Sequence, residues 1–146
     1  MIQLFTIGFT RKSAERFFHL LKEGGVRKIV DTRIHANSQL SGFAKQRDLA
    51  FFAKAVGNMS YEHREDCAPT KELLAKYQNS QISWQEYSVE YLNLLDMRQI
   101  VQKIPPETLH QHCLLCSEHT PEQCHRRLLA EYFQAIRKDV QIIHLF

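Results

Sequence analysis

The apolar residues of this chain fall into short runs that alternate with helical stripes. Residues 2–7 are largely apolar, end at Gly8, and predict a buried strand. Ser13 then stands where a helix cap belongs, ahead of Phe17, Phe18, Leu20 and Leu21, and Gly24-Gly25 stop that helix. Residues 27–32 read as a second strand, followed by a polar loop from Arg33 to Gly42. Helical spacing returns at Leu49, Phe52, Ala53 and Val56, with Gly57-Asn58 as its stop. A short strand at 59–63 and a loop from Arg64 to Thr70 lead to a helix through Leu73, Leu74 and Tyr77. Ser83 caps another, carrying Trp84, Tyr87, Tyr91 and Leu94 or Leu95. Residues 112–117 are the most apolar late strand, a long helix is predicted over 121–137, and residues 140–145 close the pattern as a last strand.

Strands that alternate with helices predict an α/β fold: a mostly parallel sheet of about five strands with helices on both faces, in three layers. A length of 146 residues suits a single domain over 1–146. The Pro105-Pro106 pair breaks the chain, but the segment after it is too short to stand alone. No run of about 18 apolar residues is present, so no membrane span is expected. The first residues lack a basic start and a small-residue cleavage site, so they read as a strand and the protein as cytoplasmic. Four cysteines in that setting predict free thiols. The net charge of +3 permits an anionic substrate but is too small for a protein that coats nucleic acid.

Chemistry-bearing residues concentrate between Cys116 and Arg127, where the late strand should give way to a helix. Thr120 suits the N-cap, Pro121 the first helical position, and Gln123 completes a capping box. The amides of 121–123 would then hold an anion or stabilise a thiolate. The apolar positions 128, 129, 132, 133 and 136 place Cys124 and His125 on the buried face, with Arg126 and Arg127 further round. The plainer alternative makes Cys124 a small core residue and His125 a hydrogen-bonded one. Cys113, Cys116, Cys124 and His125 suggest zinc ligands, but strand parity turns residues 113 and 116 to opposite faces. A smaller set of Cys116, Cys124 and His125 stays open. A phosphatase loop needs Arg six residues after its Cys; His119, Glu122 and Ala130 occupy those positions, so none fits. A sulfurtransferase-like role for Cys116 stays open.

In a parallel sheet, Gly8, Asp31 with Arg33, and Cys116 with Glu118 reach one carboxyl edge. This convergence predicts an enzyme acting on a polar, anionic substrate, with a nucleotide or nucleic-acid component as the best guess. Cys116 is the candidate nucleophile, and Glu118 and Asp31 the acid–base pair. Gly8, Arg33, Cys124, His125 and Arg126 are candidate substrate-binding residues, and no cofactor or metal is assigned. The alternatives are an Asp31–Arg33 or Glu118–Arg126 ion pair that orders loops, and a non-catalytic module that binds nucleic acid through the same basic groups. The stripe Trp84, Tyr87, Tyr91 reads as core before base-stacking platform. The loop Cys67-Ala68-Pro69-Thr70 is open as a lid.

Several segments together resemble a known family. They are Thr6-Ile7-Gly8, Val30-Asp31-Thr32-Arg33 with Asn37-Ser38, Leu115-Cys116-Ser117-Glu118, Cys124-His125-Arg126 and Ile142-Ile143-His144-Leu145. The set is similar to the domain of unknown function 488 family, over nearly the whole chain, with Cys-x-Glu…Cys-His-Arg as its most specific part. The resemblance implies a small bacterial or archaeal α/β domain and supplies no reaction. It carries Gly8, Asp31, Arg33, Cys116, Glu118, Cys124, His125 and Arg126 as motif positions. This chain departs at Phe9, where many members have His, and at Thr32, where an aliphatic residue is common.

Overall fold

Five short runs pair as one parallel sheet in a computed structural model that describes residues 1–35, 42–118 and 120–146. They are β1 (Ile2–Gly8), β2 (Lys28–Asp31), β3 (Ser60–His63), β4 (His112–Cys116) and β5 (Val140–Leu145), in the order β3-β2-β4-β1-β5. Every pairing is parallel, so the expected α/β architecture is present and the sheet is parallel throughout. Among the described residues six helices cover it: α1 (Ala14–Gly24), α2 (Gln46–Gly57), α3 (Lys71–Gln78), α4 (Trp84–Met97), α5 (Ile100–Lys103) and α6 (His125–Ile136). The α5 turn was not foreseen from the sequence. Ser13 and Ser83 cap α1 and α4 as expected, and Ser83 forms a full capping box with Glu86.

Strand alternation divides the core in two. Leu4, Val30 and Leu114 pack with Tyr87, Tyr91, Leu129 and Phe133 on one face. Phe5, Ile7, Ile29, Cys113 and Leu115 pack with Phe17, Leu21, Leu49 and Ala53 on the other. The first face therefore carries α3, α4, α5 and α6, and the second carries α1 and α2. Strand β4 lies between β2 and β1, and its outgoing loop leaves to the α6 face while theirs leave to the α1/α2 face. Loops that part in this way mark the carboxyl edge where open α/β sheets bind ligands.

The start of α6 differs from the sequence reading. Residues 120–124 form a turn, and the helix begins at His125, not at 121. The expected capping box is absent because its groups are engaged elsewhere. The Thr120 hydroxyl bonds the Glu122 carboxylate, and Gln123 Oε1 accepts from Tyr77 Oη at 2.8 Å. Cys124 becomes the N-cap in an extended conformation, with no side-chain cap bond. Among the described residues no helix is long and apolar enough to cross a membrane.

Candidate functional site

The end of β4 sits beside the end of β1, with Cys116 opposite Gly8. The chain then crosses directly over that glycine. A Cβ built at Gly8 would coincide with the Glu118 carbonyl and stand 2.8 Å from Arg126 Nη1. Hydrogen lets the two backbones meet, which is one of the jobs glycine does uniquely well. The crossing is pinned on β1's side by Thr10, whose amide and hydroxyl donate to the Ser117 carbonyl at 3.3 and 2.8 Å. On β2's side, the Thr32 amide and hydroxyl donate to the Leu115 carbonyl at 2.9 and 2.8 Å.

Arg126 occupies the centre of this arrangement. The sequence reading turned it away from the core, yet it is fully buried and in line with Leu129, Ala130 and Phe133. Its spacing to them is that of one helical face. Nη1 donates to the Glu118 carbonyl at 2.7 Å and to Cys116 Sγ at 3.0 Å, and lies 3.8 Å from Cys124 Sγ. Nε donates to Thr6 Oγ1 at 3.3 Å, and that hydroxyl meets His144 Nδ1 at 2.6 Å. Nη2 is buried with no hydrogen-bond partner among the described residues. The Glu118–Arg126 ion pair weighed as an alternative is absent among the described residues, and Arg126 bonds the Glu118 backbone carbonyl in its place. Burial pushes the Arg126 pKa down to about 10, against the pull of Cys113, Glu118 and Glu122. It remains a cation at neutral pH, and a buried cation without a counter-charge is costly.

Two sulfurs meet at that cation. Cys116 and Cys124 are both buried, and their Sγ atoms are in direct contact. The Cα atoms stand 7.7 Å apart. That exceeds the usual disulfide span of about 4.4–6.8 Å, so the sulfurs form a pair within bonding reach, not a settled crosslink. The expectation of isolated free thiols therefore holds only for Cys67 and Cys113. His125 lies beside the pair but is turned to β2. Its Nε2 donates to the Thr32 carbonyl at 2.9 Å and lies 3.0 Å from Thr32 Oγ1. Burial pushes its pKa down to about 4, so the ring is neutral, with its proton on Nε2.

Asp31 and Arg33 do not join this cluster. Asp31 is level with Leu115 across the strand pair, so it shares Leu115's face and not that of Cys116. The expected meeting of Asp31 with Cys116 and Glu118 is thus divided by the sheet. Asp31 is fully buried and saturated: Arg33 Nε and Nη2 donate at 2.9 and 2.7 Å, and Tyr61 Oη at 2.5 Å. The Arg33 guanidinium also bonds the Ala44 carbonyl at 2.6 Å and lies 5.1 Å over the Phe9 ring. This is the loop-ordering ion pair weighed as the alternative. It also gives the Phe9 departure a role, since the ring forms a face for that cation. With both Arg33 and Arg126 buried, neither offers the exposed cation that a phosphate-binding surface uses.

The remaining expectations resolve individually. The Glu118 side chain is exposed at the turn, and its charge reaches Tyr87 and Arg126. Tyr87 and Tyr91 are core, stacked at 6.3 Å, and Trp84 stacks on Tyr87 at 5.1 Å. The Cys67–Thr70 loop is tied down by Tyr91 Oη to the Cys67 carbonyl and by Arg98 to the Asp66 and Ala68 carbonyls. Asn37, Ser38 and His119 lie outside the described residues. Among the described residues no three His, Cys, Asp or Glu side chains converge as a metal site. Sequence reasoning missed Thr6, Thr32 and His144 as neighbours of the cluster. Both threonines share the face of Cys116 through the register of β1 and β2 against β4, which the sequence does not record.

A family model, that of the domain of unknown function DUF488, matches residues 13–133. Comparison with curated proteins and with solved structures found no match. The matched span includes β2, β4 and the Cys116–Arg126 turn, and covers most of the chain. The chain therefore belongs to the family of the domain of unknown function DUF488.

Proposed function

We propose that the protein is an enzyme that attacks a polar, anionic substrate with the Cys116 thiolate at the carboxyl edge of β4. One observation carries the reading. Among the described residues Arg126 is a buried guanidinium with no carboxylate partner, and Cys116 Sγ, a group that can become an anion, lies 3.0 Å away. Ionising that thiol supplies the missing counter-charge, and a cation beside a thiol lowers its pKa. The amide end of α6 at Cys124 acts in the same sense. The substrate's negative charge is matched by the positive field around the turn. Lys12 stands in the same positive field: its pKa is lowered by burial and then by the charges of Arg126 and Arg16. Glu118, exposed at the turn, is the acid–base group. Nucleotides and nucleic-acid components are the first substrates to test. A cytoplasmic, reducing location belongs to the same reading, because it keeps Cys116 a thiol.

The thiolate is measurable without a known substrate. The ultraviolet absorbance of the thiolate, followed with pH and taken as the difference between the reduced protein and Cys116→Ser, should titrate well below the ordinary cysteine value of about 8.5. Arg126→Gln should move that titration upward by about one unit or more. A Cys116 that titrates at or above the ordinary value would overturn the proposal. A thermal-shift panel of nucleotides and phosphate monoesters then identifies the ligand class.

A further inference from the structure

The Cys116–Cys124 contact has no role in a single nucleophilic attack, yet it is specific. Of four cysteines, only these two touch each other. Both meet the same guanidinium, and the contact is closer for Cys116, at 3.0 Å, than for Cys124, at 3.8 Å. They differ in how they are held. Cys116 is fixed as the last residue of β4. Cys124 ends the 120–124 turn and lacks a cap bond of its own. Both residues are almost wholly buried, at 1% and 3% exposure, which favours small reagents over bulky ones.

From these features we infer that Cys116 is a site of oxidation by small hydroperoxides and that Cys124 is its resolving thiol. The inference rests on the reading that Cys116 is the ionised thiol. In the first step the Cys116 thiolate attacks one peroxide oxygen. An S–O bond forms and the O–O bond breaks. Sulfur is oxidised to a sulfenic acid, and the second oxygen leaves as alkoxide or hydroxide and takes a proton from water. In the second step the Cys124 sulfur attacks Cys116 Sγ. An S–S bond forms, the S–O bond breaks, and hydroxide leaves with the proton from Cys124 as water. A small dithiol restores both thiols by two exchange steps and is itself oxidised to its disulfide. While the bond is closed, Cys116 has no nucleophile to offer, so oxidation switches off the proposed activity and protects Cys116 from the irreversible oxidation states.

The chain contains its own controls. Cys67 and Cys113 are buried thiols without a sulfur neighbour, and burial pushes the Cys67 pKa up to about 12 and that of Cys113 higher still. The test exposes the reduced full-length protein to hydrogen peroxide, quenches it with a maleimide, and maps the products by mass spectrometry. Wild type should lose two hydrogens as a single Cys116–Cys124 crosslink. That loss should run about tenfold or more faster than oxidation of Cys67 or Cys113. Cys124→Ser should instead trap a dimedone-reactive Cys116 and then over-oxidise it, and Cys116→Ser should give no crosslink. Wild type that accumulates over-oxidised Cys116 as fast as Cys124→Ser would overturn the inference, as would equal oxidation of all four cysteines. The wild-type map decides the matter even if a serine variant misfolds. If Cys116 titrates as a thiolate but no crosslink forms, only this inference fails. If Cys116 does not titrate low, the proposed function fails with it.

Discussion

At the scale of single residues, Gly8 and Arg126 form one device. The guanidinium holds the Glu118 carbonyl over a glycine that has no Cβ to obstruct it. Gly8→Ala must displace that carbonyl and with it the contact between Arg126 and Cys116. The expected cost is about 3 kcal/mol, the upper part of the range for overpacked positions. Urea unfolding should show a lower midpoint with an unchanged slope. A variant as stable as wild type would mean that the crossing has slack. Gly8 was legible in the sequence as the end of the first strand at the carboxyl edge, but what crosses over it was not. Arg126 was misread for a physical reason. A charged residue next to an apolar stripe is normally placed outside, and nothing in the local pattern reveals a backbone carbonyl and two sulfurs waiting inside.

At the scale of elements, His125 ties the first turn of α6 to the end of β2 through the Thr32 carbonyl. The neutral ring is the form that fits, since burial is the largest cause of its lowered pKa, followed by the backbone bond to Thr32, which opposes it, and the charge of Arg126, which adds to it. Asp31 raises the value more weakly, and the Tyr91 ring packs against the imidazole at 5.7 Å. The unfolded chain therefore binds a proton near pH 6.5 that the folded one refuses until about 4. Stability from this group is complete above the unfolded value and falls as pH drops through that window. The slope is about 1.4 kcal/mol per pH unit and the total roughly 3 kcal/mol. His112 and His144 are shifted in the same direction and add to the trend. The contribution of His125 is therefore the difference between wild type and His125→Gln, read from urea midpoints between pH 4 and 7; equal slopes in the two proteins would contradict it. The sequence placed this helix but not its start. Thr120 and Gln123 form a good cap in isolation, but Glu122 engages Thr120 and Tyr77 from α3 takes the Gln123 side chain, so the cap is not used.

At the scale of the whole molecule, the sheet separates two polar clusters that the order of the chain brings to the same edge. The fold class, the strands and the edge were legible because periodicity and parallel pairing are local or topological properties. Which face each residue takes depends on register between strands, and a single sequence does not record register. Here Asp31 is level with Leu115, so Asp31, Arg33 and Tyr61 lie on the α1/α2 face, while Cys116 and Arg126 lie on the α6 face. Among the described residues the two clusters share no hydrogen-bond partner, so their effects should separate. Asp31→Asn breaks a buried ion pair and should lower stability by roughly 3–5 kcal/mol. It should nevertheless leave the pH at which Cys116 ionises unchanged, whereas Arg126→Gln moves that pH upward. Tyr61→Phe removes only the 2.5 Å bond to Asp31 and offers a milder version should Asp31→Asn unfold. A Cys116 titration displaced by either variant as far as by Arg126→Gln would show that the sheet transmits between the clusters, and Asp31 would return to the chemistry of Cys116.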